Sequence, residues 1–137
     1  MKKLARFLCF VLTAVLLCAT LASCSGEPAA TAADATAALK DAGYAVTVED
    51  AEHELKAYAQ LGIAATSVIS AKEVKGDEVA YIYYFADAAA ATAALESVKT
   101  LAADAKAALA EGLEWVEPTV LGAMIYFGSA AGVADAN

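Results

Sequence analysis

Arginine occurs once in the 137 residues, at Arg6, and histidine once, at His53. The arginine fork is the usual partner of phosphate and carboxylate groups. A chain without it beyond residue 6, with a net charge of −8, is a poor match for nucleic acid or anionic headgroups. Cysteine is confined to Cys9, Cys18 and Cys24, so nothing after residue 24 offers a thiol nucleophile or an intrachain disulfide. Proline is confined to Pro28 and Pro118. The G-x-S-x-G, H-E-x-x-H, P-loop and dinucleotide signatures are all missing. A long apolar run is missing too. Phe7 to Ala22 is uncharged but only 16 residues long, short of the roughly 20 that a spanning helix needs.

What is present begins with that short run. It follows Lys2, Lys3 and Arg6 and ends in Leu21-Ala22-Ser23-Cys24. A basic start, an apolar core and a small-residue end are the parts of a secretory signal. The last four residues resemble the bacterial lipobox. The resemblance implies a lipid-modified Cys24, cleavage before it, and a chain held by its acyl groups on the outer face of a cell membrane. Residues 1–23 are then a signal peptide, 24–30 the lipidated cysteine and a short tether, and 31–137 one domain. Loss of residues 1–23 removes three basic residues and no acid. Six lysines then face 17 acids, a net charge of −11.

The remaining pattern predicts an α+β domain. Thr31 and Asp34 open a helix that stops at Gly43. Tyr44 to Glu49 alternates as a half-buried strand. Asp50 caps a second helix, ended by Gly62. Ala64–Val74 and Glu78–Phe85 read as a hairpin about Lys75-Gly76-Asp77. Asp87 caps the longest helix, whose stripe is Leu95, Val98, Ala102, Ala105 and Leu109. Residues 114–117 and Pro118 read as a connection and Thr119–Phe127 as one last strand, with a short terminal helix after Gly128. The leading helix aside, the order β-α-β-β-α-β is that of a ferredoxin-like sandwich. That fold puts two helices on one sheet face and leaves the other to the leading helix, a dimer partner or tyrosines.

No residue set selects a catalytic, cofactor or metal site. Glu49, Asp50, Glu52 and Glu54 surround His53, and four carboxylates suit a hard cation such as calcium. An acidic helix start explains the same run through the helix dipole. His53 lacks a nominated nucleophile; the nearest hydroxyls in sequence are Thr47 and Tyr58. Tyr81, Tyr83 and Tyr84 form the strongest interaction surface, with Tyr81 and Tyr83 on one side of their strand and Tyr84 on the other. Trp115 is a second contact candidate. The domain as a whole resembles a group of small lipoproteins of clostridia-like Gram-positive bacteria without assigned activity. The resemblance rests on Gly43-Tyr44, the tyrosine strand leading through Phe85-Ala86-Asp87, and the late GAMIYFG run. It implies fold and location only. The expectation is a membrane-tethered, non-enzymatic binding module whose partner is another envelope protein or a second copy. A carboxylate hydrolase and a calcium-binding protein are the alternatives.

Overall fold

The computed structural model describes residues 26–137. Cys24 and the segment assigned to the signal lie outside the described residues. The chain runs α1 (Ala32–Asp41), β1 (Tyr44–Glu49), α2 (Glu52–Gln60), β2 (Ser67–Glu73) and β3 (Val79–Tyr84). It continues through α3 (Ala88–Ala107), β4 (Trp115–Leu121), β5 (Met124–Ser129) and α4 (Ala130–Ala134). The five strands form one antiparallel sheet in the order β1-β2-β3-β5-β4.

This order corrects the ferredoxin-like expectation. There the first strand is internal, whereas here β1 is an edge strand beside β2. The predicted last strand is in fact a hairpin. Leu121 pairs with Met124 across the two-residue turn Gly122-Ala123. Gly122 has φ +56°, and among the described residues no non-glycine has a positive φ. Positive φ at the first central residue alone is the type II′ pattern, which matches strand twist. Residues 115–118, read as a connection, belong to β4. Glu117 and Pro118 together oppose one β5 residue in a bulge between Val116 and Thr119. A bulge on an edge strand is where a sheet tolerates proline.

The cap residues divide the same way. Thr31 accepts from the Asp34 N–H at 3.2 Å, and Asp87 from the Ala90 N–H at 2.8 Å. Asp50 does not cap α2. The cap position is Ala51, and Glu54 Oε2 reaches back to the N–H groups of Asp50 and Ala51, each at 3.2 Å.

Strand alternation sends two apolar sets to opposite faces. On the first face Tyr44, Ile69, Ala80, Ile82, Tyr84, Met124 and Tyr126 meet Ala35 and Leu39 of α1 and Val133 of α4. On the second, Val68, Tyr83, Ile125 and Phe127 meet Ala91, Ala94, Val98 and Ala102 of α3. The sheet is thus covered on both sides, which accounts for the unbroken apolar run Val79–Phe85. Alanine lines the α3 contact because a helix of small residues can lie close to a sheet of large rings.

Candidate functional site

The second face holds five aromatic side chains in one continuous group. Phe127 is fully buried at its centre. Tyr81 stacks on it at 5.0 Å between ring centroids and Tyr83 at 5.8 Å. Trp115 tilts against it at 5.9 Å. Tyr58 of α2 meets Tyr83 edge-on at 5.8 Å. These offset and edge arrangements are the favourable ones for ring quadrupoles.

Only part of the predicted tyrosine surface is available. Tyr83 is buried on the second face and burial pushes its phenol up to about 12. Tyr84 is buried on the first face. Its hydroxyl donates to the Ala29 carbonyl at 2.8 Å and the Thr31 carbonyl at 3.2 Å, and burial raises its phenol to about 12. Tyr81 and Trp115 are half-buried and so combine core packing with an accessible edge. The indole N–H of Trp115 lies toward Glu117, close enough to help hold that carboxyl down but outside hydrogen-bond geometry. The larger cause of that lowering is the Lys106 ammonium, which binds the Glu117 carboxylate and ties α3 to β4.

Beside Tyr81 the second face is open. α3 covers β4 and β5, and α2 is tied to the Glu49 end of β1 through Tyr58. Between them Ala45, Thr47 and Lys72 are exposed and Ser70 half-buried. Lys72, Asp77, Val79 and Tyr81 bound a cleft of about 210 Å³ against Ala105 and Leu109. It offers one cation, one acid and a ring edge, a set suited to binding a polar group and supplying no nucleophile.

The acidic cluster does not converge. Among the described residues no group of three or more His, Cys, Asp or Glu side chains is placed to hold a metal ion. Asp50, Glu52 and His53 are exposed around a shallow depression shared with Lys56 and Thr66. Glu49 instead accepts the Tyr58 hydroxyl at 2.5 Å. Desolvation and that bond hold the Tyr58 phenol well above its ordinary value. The Thr66 hydroxyl donates to the Tyr84 carbonyl at 3.2 Å. Two hydroxyls near the His53 helix are therefore engaged in structural bonds. The Glu49–Tyr58 tie escaped the sequence, since a spacing of nine residues carries no periodic signal.

Another cleft, about 600 Å³, opens where the N-terminal segment enters the fold. Glu27, Pro28, Tyr84, Leu121 and Asn137 are among its walls. Ala29 is fixed there: its N–H donates to the Ala136 carbonyl at 2.9 Å. Its carbonyl accepts the Tyr84 hydroxyl and its side chain packs on the first face, so Ala29 is tied into the fold.

The site and fold together define an α+β domain with a doubly covered antiparallel sheet. No protein-family model, curated protein or solved structure compared with this chain matches it.

Proposed function

We propose that the chain is a lipid-anchored binding module of the cell envelope, held on the outer side of a membrane through Cys24 and without catalytic activity of its own. The observation that carries this reading is Leu21-Ala22-Ser23-Cys24 placed behind a basic start and a short apolar run. Among the described residues no helix is long and apolar enough to cross a membrane. Attachment then falls to acyl chains, each buried CH₂ adding about 0.8 kcal/mol.

The fixed position of Ala29 supports an intimate attachment. Four residues separate it from Cys24, five steps with a reach of at most about 18 Å. The end of the domain holding Glu27, Tyr84 and Leu121 is thereby kept close to the bilayer, and the open strip beside Tyr81 is the surface offered to an envelope partner. The test is fractionation of cells carrying Cys24→Ser. The variant is expected in the soluble envelope fraction or as uncleaved precursor without label from a fatty-acid probe. A Cys24→Ser chain that still acquires the probe contradicts the reading.

A further inference from the structure

We propose that the outer edge of β1 pairs with the same edge of a second copy of this chain, antiparallel, about a two-fold axis at Val46. The two edges of the sheet are built differently. β4 is closed to pairing by Pro118, by its bulge and by the Glu117–Lys106 ion pair. β1 is six regular residues, YAVTVE, with no proline, no lysine and no bulge.

The hydrogen-bond parity of β1 is fixed by one contact. The Val74 N–H donates to the Gly43 carbonyl at 3.0 Å, and Tyr44 lies opposite Glu73. Bonded pairs alternate along an antiparallel ladder. Ala45, Thr47 and Glu49 therefore bond to β2, while the N–H and C=O groups of Tyr44, Val46 and Val48 point outward. Among the described residues no strand meets them.

That parity and the side chains are self-complementary in one register. With Val46 opposite the second copy's Val46, Tyr44 lies opposite the second copy's Val48. All three pairs use outward-pointing groups, giving about six interchain bonds. On the first face the contacts are apolar. On the second, Ala45 meets the second copy's Thr47, and no like charges are opposed. The axis of such a pair is perpendicular to the sheet, so both copies keep the same face on the same side. Ala29 and Ala32 pack on the first face. Both N-terminal segments thus leave on one side, the arrangement that two copies on one membrane require, and both open strips beside Tyr81 face the other way. The pairing itself does not depend on the lipid anchor.

The experiment uses the full chain in detergent. Sedimentation over a concentration series is expected to show a protein dimer. Val46→Pro removes an outward N–H and no β1–β2 bond. It is expected to weaken association about tenfold or more while the circular-dichroism spectrum stays unchanged. Ala45→Cys and Thr47→Cys are then placed on separately tagged copies. Opposed residues of a non-bonded pair lie about 4.5 Å apart at Cα, within disulfide reach. Mild oxidation should link the mixture above the level given by the parent cysteines. Neither variant alone should link, because diagonal positions are about 7–8 Å apart. A monomer at every concentration, a folded Val46→Pro chain that dimerises normally, or Thr47→Cys linking by itself as readily as the mixture would each overturn the proposal. If Val46→Pro does not fold, the crosslinking pattern decides.

Discussion

The Val79 backbone is closely approached by the chain from Gly128 to Gly132. A Cβ added at Gly132 would lie 2.2 Å from the Val79 carbonyl oxygen, and one at Gly128 2.4 Å from it. Between these glycines Ser129 is fully buried, accepting the Val79 N–H at 2.9 Å and donating to the Val79 carbonyl at 3.1 Å. Small residues thus let α4 lie against the start of β3. Gly132→Ala should cost roughly 1–3 kcal/mol through overpacking, read from the urea midpoint. Ser129→Ala should cost a similar 1–3 kcal/mol by leaving the Val79 N–H without its partner. The buried phenols give a pH dependence with a definite sign. Tyr83 and Tyr84 rise from 10.0 to about 12 on folding. The unfolded chain therefore releases these protons first, and stability falls as pH rises through the interval between those values. The loss between pH 10 and 12 is up to roughly 3 kcal/mol for Tyr83 and smaller for Tyr84, whose charge is better screened by solvent. Tyr84→Phe should flatten the fall and cost about 1 kcal/mol at neutral pH, measured by denaturation at a series of pH values. Which tyrosines are buried was not readable from the sequence. Alternation separated Tyr84 from Tyr81 and Tyr83, but identical side chains on one strand differ only in what the rest of the chain brings over them.

Elements with strong local signals were legible. Thr31 and Asp87 cap helices where their sequence context placed them, and VAYIYYF is a central strand. Elements decided by tertiary contact were not. The β4–β5 hairpin hides in a run that alternates poorly, and its turn rests on Gly122 alone. The first face is covered by α1 and by α4, a terminal helix expected after Gly128 but, at five residues, too short to show a stripe that says where it packs. α2 stands apart energetically. None of its residues is fully buried, and it is held through half-buried Leu55, the Tyr58–Tyr83 ring contact and the Tyr58–Glu49 bond. A helix with so little buried surface opens below the global unfolding free energy. Amide exchange should therefore be faster in Glu52–Gln60 than in Ala88–Ala107 by at least about tenfold. Tyr58→Phe should speed it further while moving the global midpoint by less than about 1 kcal/mol. Equal protection of the two helices would contradict this ranking.

For the whole molecule, charge and the proposed attachment bear on behaviour. Seventeen acids against nine basic residues favour a solvated, self-repelling surface over adhesion to anionic lipid. The proposed residence at a membrane therefore rests on covalent lipid at Cys24, and the functional reading stands on that modification. The expected address rests on signal and lipobox motifs that are local in sequence. The surface used beyond the address was not legible, because the open strip and the free β1 edge exist only once the strands are assembled. The most direct measurement is the intact mass of the full-length product extracted from its own cells. The account predicts a chain that begins at Cys24 and carries the added mass of at least a diacylglyceryl group. A chain that retains Met1, or one that begins at residue 24 with an unmodified thiol, would contradict it.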